Sequence, residues 1–142
     1  MNDKYKLQII DDSSFNLTLK KLKYDYLDKP KDIKKGIALK LRTKDNYKIS
    51  EIKGNEVKIE FVREKYFEPE GLFKIEIVLI VGYRLKESDN KDKNKIIKED
   101  LKNDCIKLLS PAATRASIIV SSLTGIDFKN PIVDPPYPLL KK

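Results

Sequence analysis

The chain has 142 residues, 40% of them apolar and 37% charged, which fits a single globular domain spanning residues 1–142. A single cysteine excludes an internal disulfide bond, and the absence of histidine argues against a zinc site and against histidine-dependent catalytic triads. No apolar run reaches the roughly 18 residues that span a bilayer. The first residues also lack a signal-peptide pattern, so we expect a cytoplasmic protein without membrane insertion.

The net charge of +8 is compatible with nucleic-acid binding, but the basic residues are mostly lysines with acidic residues mixed among them. Even the densest basic segment, residues 20–35, contains Asp25, Asp28 and Asp32. A solvated lysine-rich surface explains this pattern better than a phosphate-binding face, because net charge affects solubility before it specifies function. A basic nucleic-acid-binding protein remains the alternative.

Alternating apolar residues predict β-strands in the first part of the chain. Alternation runs through residues 15–19 and again through residues 22–26, but the parity of the apolar positions shifts between the two segments. One extra residue near Lys20 and Lys21 would produce that shift, which is what a β-bulge supplies. We therefore predict one strand with a bulge.

The next two predicted strands form a hairpin. KISEIK and EVKIEFV flank Gly54-Asn55, a two-residue turn signal, and Val57, Ile59 and Phe61 form the apolar face of the second strand. Apolar residues also alternate with other residues just before this hairpin, at Ile37, Leu39 and Leu41.

The strongest strand pattern is LFKIEIVLIVGYRL, residues 72–85, directly after the turn EPEG. Every second residue from Phe73 to Leu85 is apolar, and Val78 and Ile80 make the other face apolar too. A strand that is apolar on both faces is central in its sheet, or its second face is covered by a helix or another subunit.

Helical periodicity follows the charged segment KESDNKDKNK, residues 86–95, which we interpret as a surface loop. Ser110 and Pro111 either begin a second helix, as N-cap and first residue, or Pro111 kinks one long helix. Gly125 is the predicted C-cap, and the tail NPIVDPPYPLLKK, with four prolines, is predicted to be extended. Strands followed by helix and tail predict an α+β fold with the helix or helices packed on one face of an antiparallel sheet.

The sequence shows no catalytic pattern. There is no glycine-rich phosphate loop, the acidic residues show no pairing, and Cys105 lies on the apolar face of the predicted helix, where a buried thiol is inert. We predict no enzymatic activity, no catalytic residue, no cofactor and no metal site.

The predicted helix and the tail carry a specific order of residues. LLSPAATR, residues 108–115, has the leucine, proline and arginine of a Leu-Phe-Pro-Tyr-Ala-Arg-type motif, although Ser110 and Ala112 replace its aromatic residues. Later apolar residues, the glycine and the prolines also agree, at Ile118, Ile119, Leu123, Gly125, Pro135 and Pro136. In this order, from Leu108 to Pro138, the chain resembles the SecB protein-export chaperone family and its SecB-like relatives.

The resemblance implies an antiparallel sheet of about four strands, a homodimer or homotetramer, and apolar grooves that hold unfolded or extended polypeptide clients without ATP. It makes Pro111, Arg115 and Gly125 structural, with Arg115 expected to bind a carboxylate or carbonyl groups at the strand ends or in the tail. The candidates for client binding are Tyr66, Phe67, Leu72, Phe73, Ile119, Leu123 and Phe128. Each of them also fits ordinary core, and for Phe73 the core is the stronger interpretation.

The charge of the chain bears on its partners. SecB reaches the motor protein SecA through acidic surface, so the basic character of this chain argues against SecA docking. A SecB-fold module dedicated to one protein partner is a further alternative.

Overall fold

The computed structural model describes residues 7–9, 17–26, 40–68, 73–85, 93–127 and 132–140. The predicted client-binding residues Leu72 and Phe128 lie outside these ranges. The elements in chain order are β1 (Leu7–Ile9), β2 (Leu17–Tyr26), β3 (Lys40–Lys53), β4 (Glu56–Glu68), β5 (Phe73–Leu85) and α1 (Lys93–Asp127). Residues 132–140, here termed the tail, follow the helix with neither helical nor strand structure.

The strands form one antiparallel sheet that is four strands wide. β5 is central, between β4 on one side and β1 and β2 on the other, while β3 is the outer strand next to β4. β1 pairs with residues 83–85 of β5 and β2 with residues 73–81, so the two short strands together occupy one position. The predicted α+β fold, with an antiparallel sheet and a C-terminal helix on one face, is confirmed.

The core lies between β5, β4 and α1. The predicted inward face of β5 is confirmed, because every second residue from Phe73 to Tyr83 is at most 2% exposed. Leu109, Ala112 and Ala116 of α1 are fully buried against this face. The Tyr83 hydroxyl also donates a hydrogen bond to the Leu108 carbonyl group, which ties the helix to the central strand.

The opposite face of the sheet is charged around a small apolar centre. Val78 is 7% exposed and Ile80 half-buried. Around them, ion pairs join Lys20 to Glu60 at 2.7 Å and Lys21 to Glu76 at 2.8 Å. The second apolar face of β5 therefore reflects its central position, with long charged side chains lying over it.

Both local features predicted for the strands are confirmed. The register of β2 against β5 shifts between Leu19 and Lys21, which places a bulge at Lys20. Gly54 has a φ of 61° in the turn between β3 and β4, a conformation that favours glycine. A second bulge, between Ile49 and Glu51 of β3, was not predicted.

Of the two alternatives for Ser110 and Pro111, a second helix beginning there is wrong, and one long kinked helix is correct except for the position of the kink. α1 continues through Pro111, and its kink is at Asp104, where φ is −119° and ψ is 30°. Proline cannot donate the backbone hydrogen bond to the carbonyl of residue 107 and its ring crowds that group, so distortion is expected on its N-terminal side. The helix also begins at Lys93, inside the segment predicted as a loop.

The predicted C-cap at Gly125 is wrong too, because α1 extends to Asp127. The contact that returns the chain toward the helix is made by Thr124, which is buried. Its hydroxyl donates to the Val120 carbonyl and accepts from the Ile132 backbone N–H, both at 2.8 Å. In the part of the chain that the structure describes, no helix is both long and apolar enough to cross a bilayer.

Candidate polypeptide-binding grooves

The tail lies along α1, and side chains of the helix hold it through its backbone carbonyl groups. Three hydroxyl groups of α1 donate hydrogen bonds to alternate carbonyl groups of the tail. The pairs are Ser121 with Ile132 (2.8 Å), Ser117 with Asp134 (2.7 Å) and Thr114 with Pro136 (3.1 Å). Because these bonds use main-chain acceptors, they recognise the extended shape of the segment more than its side chains.

Arg63 ties the same segment to the sheet. Its side chain is fully buried on the inward face of β4, and it binds both oxygens of Asp45 at 2.8 Å. Three further bonds reach the tail: to the Asp134 carboxylate (2.8 Å) and to the carbonyl groups of Pro135 (2.7 Å) and Tyr137 (2.9 Å). All five guanidinium N–H groups are therefore satisfied.

Lys65 completes a neutral buried cluster with Arg63, Asp45 and Asp134. Its ammonium group lies 2.6 Å from Oδ1 of Asp134, an ionic contact without regular hydrogen-bond geometry, and donates to the Thr43 hydroxyl. Burial by itself lowers the pKa of Arg63, but the adjoining carboxylates outweigh it and raise that pKa overall. Two positive and two negative groups thus avoid the cost of an isolated buried charge.

The sequence prediction assigned this locking role to another arginine. Arg115 is exposed on α1, and the tail carbonyls expected to bind it are bonded by Arg63 and by the helix hydroxyls instead. The expected role for Arg115 is therefore not met. The sequence does carry a signal for Arg63, since it continues the inward alternation of Val57, Ile59 and Phe61, although it is a charged residue.

A first open groove lies between β2 and α1. This β2 groove is lined by Leu17, Leu19, Leu79, Arg115 and Ile119 and has a volume of about 290 Å³. Leu19 is 46% exposed although it lies on the apolar side of β2. The groove is thus apolar with one cationic group at its wall.

A second, larger groove lies between β3, α1 and the tail. This β3 groove has a volume of about 760 Å³, and its lining comprises residues 43–47, Tyr66, Lys98, Lys102, Cys105, Leu139 and Leu140. Five consecutive residues of β3 line the groove, so it is bordered by the backbone of the strand and by side chains from both of its faces. Among the described strands β3 pairs only with β4, which leaves its other edge facing this groove.

Tyr47 and Cys105 meet within the β3 groove. Burial is the largest cause that raises the pKa of the Tyr47 hydroxyl, and the adjacent Cys105 adds to it. Burial likewise raises the pKa of the Cys105 thiol, with the hydrogen bond from Tyr47 opposing the shift. A half-buried thiol with a raised pKa stays protonated near neutral pH and is a poor nucleophile.

Comparisons of sequence and of structure give different results. No protein-family model matches the sequence, and no curated protein sequence matches it either. The structure, however, is similar to that of the SecB-like chaperone Rv1957 of Mycobacterium tuberculosis, solved in complex with a ChAD peptide from the HigA1 antitoxin. The TM-score is 0.62 at 11% sequence identity, and the match covers 92% of this chain and 90% of the other.

This chain has a SecB-like fold. Within that fold, two predicted client-binding residues line the grooves: Ile119 the β2 groove and Tyr66 the β3 groove. Phe73 is fully buried in the core and Phe67 packs edge-on against it, with ring centroids 4.9 Å apart. Client binding by Phe73 is therefore wrong, because its ring has no exposed surface.

The remaining residues of the SecB-like motif have structural positions. Leu123 packs against the core, Pro111 lies inside α1, and Gly125 is exposed near the end of that helix. Among the described residues, no three Cys, Asp or Glu side chains are grouped so that they could hold a metal ion.

Proposed function

We propose that this SecB-like protein holds unfolded or extended polypeptide segments in its two grooves without using ATP. The observation that carries the proposal is that α1 covers only the middle of the sheet, which leaves a groove along each outer strand. Exposed apolar surface of this kind marks interaction sites. We place this activity in the cytoplasm and in a homodimer or homotetramer, and do not include SecA docking in it.

The grooves offer two kinds of contact to an extended client. The apolar walls, such as Leu17 and Ile119 in one groove and Leu140 in the other, accept client side chains. The outer edge of β3 offers backbone groups for main-chain hydrogen bonds, which do not depend on the client sequence. Because neither contact requires a chemical step, ATP-independent binding follows.

The tail supports the proposal from within the molecule. It is an extended segment with prolines that α1 and Arg63 hold through five of its carbonyl groups. The surface around the grooves is thus built to bind main chain in an extended conformation.

A second candidate is a SecB-fold module that serves one protein partner. It is favoured by the similar structure, in which a SecB-like chaperone is bound to a peptide from an antitoxin. A nucleic-acid-binding role has less support, because lysines of the polar sheet face are paired with Glu60 and Glu76.

The test is suppression of aggregation. α-Lactalbumin reduced with dithiothreitol aggregates measurably by light scattering, and the reductant leaves this chain intact because it has one cysteine. We expect equimolar protein to suppress the scattering without ATP and with little loss in 200 mM salt, since apolar capture is weakly screened whereas phosphate binding is strongly salt-dependent.

Paired variants link the effect to a groove. Ile119→Asp introduces a charge into the β2 groove and should lose most of the suppression. Ile106→Asp, at an exposed position of α1 outside both grooves, should keep it. Wild-type protein that fails at equimolar amounts would rule out a general holdase and leave the dedicated-partner candidate.

A further inference from the structure

We infer that the β3 groove selects client segments that combine acidic with apolar residues. This inference rests on the proposed function and names the class of polypeptide that one of its two grooves accepts. It follows from the charges at the groove, from the state of its single acidic residue and from the exposed strand edge.

Two lysines of α1 give the helix side of the β3 groove a positive charge. Lys98 and Lys102 are one helical turn apart and both are exposed. Lys44 of β3 also borders the groove, but it lies opposite Glu64 on the polar face of the sheet. Among the described residues, neither Lys98 nor Lys102 forms an ion pair. Their charges are therefore available to a ligand.

The acidic residue of the groove does not neutralise these lysines. Asp45 is 5% exposed, and both of its oxygens bind Arg63 at 2.8 Å. One of them also accepts the Leu139 backbone N–H at 2.7 Å. Arg63 neutralises the charge of Asp45 inside the protein, and the accessible part of the groove remains cationic.

The polar face of the sheet is different. There, Glu60 contacts both Lys20 (2.7 Å) and Lys48 (3.3 Å), and Glu76 contacts Lys21. These three lysines already have carboxylate partners, so an acidic ligand gains less by binding to them than by binding in the β3 groove.

The walls and the edge of the groove favour a peptide over other anions. Tyr47 and Leu139 are each 37% exposed and, with Leu140, provide apolar surface between the lysines. Residues 43–47 border the groove as a strand edge, where an added strand places side chains alternately toward and away from the helix. On the side toward the helix, carboxylates meet Lys98 and Lys102, and apolar residues meet Tyr47 and the leucines. A segment that presents both kinds of residue on this side matches the groove. A nucleic-acid backbone cannot use the strand edge in this way.

The experiment uses three fluorescent decapeptides in which leucine and valine are interspersed with glutamate, glutamine or lysine, so that both kinds of residue occur on each face of the extended strand. Fluorescence polarisation at 20 mM salt measures their binding to the full chain. We expect the glutamate peptide to bind about tenfold more tightly than the lysine peptide, as a few exposed ion pairs supply. The glutamine peptide should lie between them, and the spread should shrink at 300 mM salt because exposed pairs are screened.

Charge-reversal variants locate the site. Lys98→Glu with Lys102→Glu should abolish or invert the preference, and both positions are exposed, so the fold is retained and circular dichroism checks it. Lys53→Glu with Lys107→Glu changes net charge by the same amount at exposed positions outside the groove. This control should keep the preference. Loss of the preference in both double variants would show an effect of net charge alone and overturn the inference.

The other outcomes separate this inference from the proposed function. If the three peptides bind equally and the protein still suppresses aggregation, the acidic preference is overturned and the proposed holdase function is retained. Absence of both peptide binding and suppression overturns the two together. A dT10 oligonucleotide that displaces the glutamate peptide, and that loses affinity in the Lys98 and Lys102 double variant, assigns the groove to nucleic acid instead.

Discussion

Arg63 and Arg115 occupy opposite environments. Arg63 is fully buried and joins Asp45 to Asp134, whereas Arg115 is exposed at the β2 groove. Replacing Arg63 by methionine keeps the volume but leaves two carboxylates with only Lys65 to offset them. We expect Arg63→Met to lower the free energy of unfolding by about 3–5 kcal/mol, measured by urea denaturation.

The matched control is Arg115→Met, which should change stability by less than about 0.5 kcal/mol because the side chain is exposed. If Arg63→Met does not fold, Arg63→Lys still tests the assignment, since lysine keeps the charge but loses the fork that binds both oxygens of Asp45. Equal effects of the Arg63 and Arg115 variants would contradict the structural account.

The buried hydroxyl of Tyr83 should make the free energy of unfolding fall at alkaline pH. Burial raises the pKa of its hydroxyl well above the usual value of about 10, so the folded state favours the neutral form. The stability that this group contributes is fully present below pH about 10 and is lost as the pH rises toward the folded-state pKa, by at most about 1.4 kcal/mol per pH unit.

We therefore expect Tyr83→Phe to be less stable than wild type by about 0.5–1.5 kcal/mol at pH 7, because the bond to the Leu108 carbonyl is lost. That difference should narrow above pH 10, since only the wild type has this proton to lose. Urea titrations of both proteins at pH 7, 9 and 10.5 measure it, and a difference constant with pH would refute the assignment. Effects of lysine titration are common to the two proteins and cancel.

At the scale of secondary-structure elements, replacement by alanine should have opposite effects on stability at two glycines. Gly54 has a φ of 61° in the hairpin turn, and no atom lies within 4 Å of the position a Cβ would occupy. Gly54→Ala should therefore cost about 1–2 kcal/mol through backbone strain alone. Gly125 is exposed within α1, so Gly125→Ala should stabilise the protein by up to about 1 kcal/mol. Thermal unfolding measures both, and a loss of stability at Gly125 would restore its assignment as a C-cap.

The attachment of the tail to α1 depends on hydroxyl groups. Ser117→Ala with Ser121→Ala removes two hydrogen bonds to tail carbonyl groups and should cost about 2 kcal/mol, at roughly 1 kcal/mol each. It should also speed hydrogen exchange in the tail more than in β5. Ser122 is the control, because its hydroxyl donates only back to the Ile118 carbonyl of its own helix. If hydrogen exchange in the tail is equally fast in Ser122→Ala and in the double variant, a specific attachment through Ser117 and Ser121 is excluded.

Local sequence patterns allowed part of the fold to be predicted. The features that were not predicted depend on tertiary packing and on contacts between residues far apart in the sequence. The bulge at Lys20 was predictable because one inserted residue shifts the parity of every following apolar position. Pro111 and Gly125 do not mark helix ends, because packing of α1 against the core outweighs the local preferences of both residues. The alternation shows that Arg63 points inward. Its partners, however, are 18 and 71 residues away, and no periodicity identifies them.

At the scale of the whole molecule, β2 is the surface best suited to pair two copies. Among the described strands it pairs only with β5, and its apolar side leaves Leu19 and Leu22 46% and 42% exposed. Lysines on an edge strand usually prevent edge pairing, but Lys20 and Lys21 are directed to Glu60 and Glu76 on the polar face. Two β2 strands related by a two-fold axis would bury these leucines and pair their outer edges, so in this dimer main-chain bonds to a client form at the outer edge of β3.

Sedimentation velocity at about 10–100 μM tests this arrangement, and we expect the wild type to sediment as a dimer or a larger species. Leu19→Glu with Leu22→Glu places like charges on both sides of the two-fold axis and should shift the protein to a monomer, because opposed carboxylates cannot be desolvated together. Val133→Glu is the control, since Val133 is 90% exposed on the tail and lies away from β2. A wild type that is monomeric throughout this range would exclude the homo-oligomer, and dissociation by Val133→Glu would move the interface to the tail.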